Sequence, residues 1–335
     1  MFAPTFFNPQ VCSVKSIMTT QVENAQSGIQ PRSGAEKALD RGFIWLTRLL
    51  ALAIAAVLLF IAITVAIRAM PAIQQYGLGF LFSSDWNPVE GREKYGALPI
   101  IYGTLVSSAI ALLLAVPLGV GTAVFLSEDF LPLSVRTPMV FLVELLAAIP
   151  SIVYGLWGIF VLAPFLAPLF EGLHKNFGWL PLFSTVPGNR SMLIAGVILT
   201  IMILPIITAI ARDSLASLPP DLRQASLGLG ATRWETLFRV LIPAAFSGIV
   251  GGIMLALGRA MGETMAVTLV IGASNQISPS LLAPAQTIAS LLALQFAEAK
   301  GLQVAALMYA GLVLFALTLI VNVFAELIVR QVKKF

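Results

Sequence analysis

Apolar residues run along this chain in six long stretches, approximately Phe43–Ala69, Leu98–Leu126, Pro138–Phe165, Ser191–Ala211, Val240–Ile271 and Val304–Val329, with polar segments between them. Each is about 20 residues or longer, the length an α-helix needs to cross a bilayer core. Lipid offers backbone groups no hydrogen-bond partner, so a spanning segment must satisfy its own, as a helix does. The pattern therefore predicts an all-α polytopic membrane protein with six transmembrane helices and both ends on one side. Residues 1–42 are polar and aperiodic and read as a disordered tail. Residues 43–96 form the first span and its loop, 97–329 a transmembrane core containing the polar loop 212–239, and 330–335 a short tail. The first apolar run is too long and too far from Met1 for a signal peptide, and Met18 is an alternative start.

Composition agrees: 58% of the 335 residues are hydrophobic and 11% charged, a balance soluble domains do not show. Placing the N-terminus in the cytoplasm puts thirteen of the 20 Lys and Arg on the inside, six outside and Arg259 within a span. By the positive-inside rule this predicts cytoplasmic N- and C-termini. The net charge of +4 is then an orientation signal, with no case for a nucleic-acid partner. Cys12 and His174 are the only residues of their types, so a disulfide within the chain and a Cys/His metal cluster are excluded. His174 reads as a solvated loop residue. No lysine follows a glycine, so the phosphate-binding GxxxxGK[ST] loop is absent; no cofactor is expected, and ATP, if it drives this protein, is hydrolysed by another chain.

One polar stretch stands out from its oily surroundings, DLRQASLGLGATRWETLFRVLIP from Asp221 to Pro243. Pro219 and Pro220 suit the first turn of a helix, where no amide donor is needed. Gly230 suits a left-handed helix end. Thr232 and Glu235 have capping-box spacing for a second helix, which Leu237, Val240 and Leu241 carry into the membrane. The prediction is helix, sharp corner, helix.

Gln224-Ala225-Ser226, three residues, Gly230, nine residues, then Val240-Leu241-Ile242-Pro243 resembles the "EAA" loop of ABC importer permeases, Glu-Ala-Ala-x3-Gly-x9-Ile-x-Leu-Pro. The spacing is intact, while Gln224 stands for the family's Glu and Ser226 for its second Ala. The resemblance implies that Gln224, Ala225, Ser226, Gly230 and Pro243 belong to a loop docking into a cleft of an ATPase subunit. Trp86-Asn87-Pro88, Tyr95-Gly96, Pro99-Ile100, Gly103-Thr104, Glu144 to Ser151, Val153-Tyr154-Gly155, Leu204-Pro205 and Arg259 to Thr264 are similar to the permease core of phosphate-specific ABC importers. That similarity implies the type I importer permease fold. Its implied partners are an ABC ATPase dimer, a second related permease subunit, a phosphate-binding protein outside the membrane, inorganic phosphate and the lipid bilayer.

Three membrane charges are candidate pathway residues. Arg259 and Glu263, four apart, would share a helix face about 24 Å along the helix from Pro243, among Gly248, Gly251, Gly252, Gly258 and Gly262, which permit close helix approach. A guanidinium suits a tetrahedral oxyanion, and Glu263 would hold it when the site is empty; a self-neutralising structural pair is the alternative. Glu144, with Pro150 loosening the helix above it, is either a packing carboxylate or part of a gate. Trp86 and Tyr95 suit the membrane interface. Ile288, Leu291, Leu292 and Phe296 predict a short amphipathic surface helix that packs on the bundle or meets a binding protein. Competing functions are a permease for another oxyanion such as sulfate and a proton-coupled secondary transporter using Glu144 or Glu263.

Overall fold

The computed structural model of the protein describes residues 34–332 apart from 90, 129 and 131. Residues 1–33, which hold most of the predicted tail, Met18 and Cys12, lie outside the described residues, as do 333–335 of the C-terminal tail. The chain divides into two units between Ile61 and Ala62, and helix α1, Gly34–Tyr76, runs across the division. The helix starts before the predicted Phe43 because Gly34–Arg41 includes strong helix formers, Ala35, Glu36, Lys37, Ala38 and Leu39. From Phe43 to Phe60 its large apolar side chains are exposed, suiting a lipid environment.

From Ala62 onward the fold is a bundle whose centre is the pair α2, Leu98–Ser127, and α5, Met192–Ala216. These two helices approach closely because small residues line their contact. Gly119 meets Ile207 and Gly196 meets Ile110, while Thr200 and Thr208 donate hydroxyls to the carbonyls of Ala111 and Gly119. Around them lie α3, Leu133–Ala148, α4, Ser151–Phe177, the polar helix α6, Pro220–Gly228, and α7, Arg233–Gly262. Helices α8, Met265–Val270, α9, Ile288–Gln295, and α10, Leu302–Val332, complete the unit. Among the described residues, six helices are long and apolar enough to cross a membrane: α1, α2, α4, α5, α7 and α10.

Two predicted spans are corrected. The third, Pro138–Phe165, is interrupted at Ile149 and Pro150, both extended; proline pushes its predecessor out of the helical region. The membrane-length helix is α4, which starts only at Ser151, and the Tyr154 hydroxyl donates across the break to the Leu146 carbonyl at 2.7 Å. The fifth, Val240–Ile271, ends at Gly262, where extended Glu263 separates α7 from α8. Helices α4 and α7 also share a device. Each contains a π turn, Gly158–Leu162 and Leu237–Leu241, two residues before Pro164 and Pro243. A proline ring collides with the carbonyl four residues back in regular helix, and the wider turn removes that collision while keeping the helix continuous.

The end of the bundle away from α6 is closed by the irregular segment 271–287. Carbonyls of Val270, Ala283 and Leu281 accept the amides of Ser191, Met192 and Leu193, supplying partners that the first turn of α5 lacks within itself. The same segment rides on α2, where Thr104 accepts the Ile288 amide at 3.0 Å. A Cβ on Gly103 would sit on the Gln286 carbonyl oxygen. Helix α9 packs inward, with Ile288 and Leu291 fully buried and Phe296 exposed. Tyr95 is likewise a core residue, edge-on to Tyr76 and Trp86; an amphipathic ring suits either place. Burial, then Glu93 and Tyr76, pushes its phenol up to about 12. His174 is not a loop residue. It ends α4 half-buried, its Nδ1 2.9 Å from the Phe183 carbonyl.

Gly103→Ala is expected to cost about 1–3 kcal/mol by overpacking, whereas Gly121→Ala on the same helix, where a Cβ meets nothing, should not. Thermal unfolding of the two purified variants compares them directly.

Candidate functional site

The polar corner folds as its residues predict. Pro220 opens α6. Gly230, at φ +86, follows its end, with the Gly230 amide bonded to the Leu227 carbonyl and the Ala231 amide to that of Ser226; these are the two bonds of a Schellman stop. Thr232 and Glu235 form the complete capping box of α7. Ser226, in place of the family's alanine, shares a 2.9 Å hydrogen bond with Thr236, which is buried. The departure thus fastens the first arm of the elbow to the second.

Helix α6 has two faces. Arg223 and Ser226 face the bundle, while Gln224, Ala225 and Gly230 are exposed. So are Leu222, Leu227 and Leu229, the last 90% exposed. Exposed leucines on a polar elbow give an apolar face that no described residue of this chain covers. The sequence signal for this face is the pair of leucines at 222 and 229 flanking Ala225. Pro243 lies directly above the π turn, fixing the junction between elbow and membrane helix.

The second candidate group lies near the far end of α7. Its glycines divide between two sides. Gly248 meets Ser214 and Gly252 meets Ile210, so both pack on α5, whereas Gly251, Gly258 and Gly262 meet nothing. Gly251, Leu255, Arg259 and Gly262 are all exposed and recur at helical spacing, so Arg259 shares an open face with two glycines and a leucine. Among the described residues Arg259 and Glu263 form no ion pair with each other, which corrects the predicted pair. Glu263 lies beyond the end of α7, only 8% exposed, and its Oε1 accepts the Ala266 amide at 3.3 Å. The first-turn amides of α8 need such an acceptor, and the carboxylate supplies it. Among the described residues no ion pair or hydrogen bond involves the Arg259 side chain.

Glu144 is on α3, before the break at Pro150, with its side chain 60% exposed and Oε1 4.0 Å from Arg212 Nη1. Arg212 spends its closer contacts, 3.0–3.1 Å, on Asp213. Glu144 is thus on the elbow side of the molecule, apart from Arg259 and Glu263. Among the described residues no group of three His, Cys, Asp or Glu could hold a metal ion.

Six membrane-length helices joined to a capped, water-compatible elbow define a membrane transport permease of the type I ABC importer fold. A crystal structure of a bacterial ABC transporter involved in the import of the acidic polysaccharide alginate shares that fold, with TM-score 0.57 at 17% identity over 89% of this chain and 99% of that one. Residues 115–334 match the family described as binding-protein-dependent transport system inner membrane component, and the chain belongs to that family. Among its relatives, the phosphate transport system permease protein PstC of Mesorhizobium japonicum is 46% identical over 292 residues, 85% of this chain and 88% of that protein. The protein of the same name from Pasteurella multocida is 42% identical over 86% of this chain and 91% of its own length.

Ser226→Ala, which restores the family's residue, is expected to cost about 1 kcal/mol by leaving the buried Thr236 hydroxyl unpaired. Thermal unfolding of the variant checks this, with Gln224→Glu, on the exposed face, expected to be neutral.

Proposed function

We propose that this chain is a permease subunit of an ATP-driven importer of inorganic phosphate. The observation that carries the substrate is 46% identity across most of both chains to a phosphate transport system permease. Its partners would be an ABC ATPase dimer at the elbow, a related permease chain, and a phosphate-binding protein at the opposite membrane face. The elbow would lie in the cytoplasm with both termini, as the distribution of Lys and Arg favours. The chain would carry no ATPase site of its own.

In this reading the exposed side of α6, with Leu222, Ala225 and Leu229, seats in the ATPase, and Gly230 keeps the corner tight. Nucleotide-driven closure of the ATPase moves the elbow, and the spans rock between inward- and outward-open states. Arg259 presents a permanent charge on the open face of α7, where a second permease chain would approach. An unpaired guanidinium at membrane depth is costly unless it faces water, protein or an anion, and phosphate is a fitting partner for its planar donors. Glu263 braces the helix end beside it and is not its resting counter-ion. Glu144, exposed beside Arg212, belongs to the cytoplasmic mouth of the pathway. Membership of a binding-protein-dependent family gives a proton-coupled carrier no support.

Phosphate uptake in a strain lacking the native permease should be restored by this chain and its partners and be insensitive to excess sulfate. Competition by sulfate at equal concentration would name the wrong anion. Arg259→Lys, at unchanged membrane abundance, is expected to reduce uptake about tenfold by losing the bidentate geometry, and normal uptake would remove Arg259 from the path.

A further inference from the structure

We propose that the turn between α2 and α3 is a second joint of the elbow, with Glu128 and Phe130 as positioning residues that carry elbow movement into the central α2–α5 pair. The inference rests on the reading that an ATPase drives the elbow.

Two independent contacts converge on this turn. Glu128 follows the last residue of α2, and its Oε1 accepts from Arg223 Nη2 at 2.6 Å. The two residues are 95 positions apart in sequence. The Glu128 side chain is only 15% exposed, unlike ordinary surface pairs that water and salt weaken, and a short charge-assisted bond of this kind fixes position. Two residues on, Phe130 is stacked between Phe125 of α2, at 6.2 Å and 12°, and Trp234 of α7, at 5.6 Å and 29°. Trp234 stacks in turn on Phe238 at 6.0 Å. The charged contact holds the first arm of the elbow and the aromatic contact holds the second.

The turn is therefore fastened to both arms. The arms are themselves joined by Ser226 and Thr236, so a push on α6 reaches the turn through both of them. Beyond it, α2 is held to α5 by hydroxyl–carbonyl bonds and glycine contacts along its length. Close-packed helices of this kind move as a body and do not absorb displacement. Arg223, facing inward on a helix whose other face meets the ATPase, serves transmission and not docking.

The test uses the complete complex in phosphate-loaded proteoliposomes, reading phosphate-stimulated ATP hydrolysis, phosphate transported per ATP, and the ATPase that co-purifies. Glu128→Gln and Phe130→Ala should each co-purify normally and hydrolyse ATP, while phosphate moved per ATP falls about tenfold, the size of a typical coupling free energy. The charge-exchanged double variant Glu128→Arg with Arg223→Glu should regain most of that loss relative to Glu128→Arg alone. Unchanged transport per ATP in both single variants overturns the proposal, as does a double variant no better than Glu128→Arg. Normal co-purification excludes misfolding as the cause of a loss. If the wild-type permease captures no ATPase, the underlying reading fails and the joint falls with it; failure of the variants alone leaves that reading intact.

Discussion

Every backbone polar group that leaves a helix inside a bilayer must find a partner from the protein itself, and the interruptions in this permease meet that requirement with side chains or with irregular backbone. At the Ile149–Pro150 break, Tyr154 reaches back to the Leu146 carbonyl. At the end of α7, Glu263 serves the amide of Ala266. At the far end of the bundle, the segment 271–287 satisfies the first amides of α5. Interruptions placed in this way give a helical bundle hinges without exposing its backbone, and they divide long apolar runs into pieces that can move relative to one another.

The same economy explains why the charged residues are distributed as they are. Glu263 is committed to the backbone and Glu144 is at the elbow side near Arg212, so among the described residues neither carboxylate pairs with Arg259, which lies exposed on α7. A permanent cation in that position gives the open face an identity that small residues alone do not provide. At the elbow, Arg223 pairs inward with Glu128 of the neighbouring turn, while Leu222, Leu227 and Leu229 stand exposed among Asp221, Arg233, Glu235 and Arg239.

Much of this was legible from local chemistry. Proline at a helix start, glycine at a left-handed stop and a threonine-glutamate box act over a few residues, so local spacing alone specifies the elbow. Long apolar runs likewise located six spans, since hydrocarbon thickness sets their length. What escaped was either a matter of degree or of distance. Pro150 was visible, but whether it bends a helix or ends it depends on the partner that Tyr154 supplies. Glu263 has helical spacing from Arg259, and only the need of α8 for a first-turn acceptor pulls it out of the helix; Gly262 just before it was the available hint. The division of the α7 glycines into a packed and an open set depends on Ser214 and Ile210 of α5, and the bond from Arg223 to Glu128 joins positions no periodicity relates.

The π turn at Leu237–Leu241 has a consequence for how the two ends of α7 face. A regular helix would fix the azimuth of the elbow against that of the far end of α7, each residue adding about 100°. The wide turn shifts that azimuth, so the capped start of α7 and the face that carries Arg259 stand at an angle that an uninterrupted helix of the same sequence would not give.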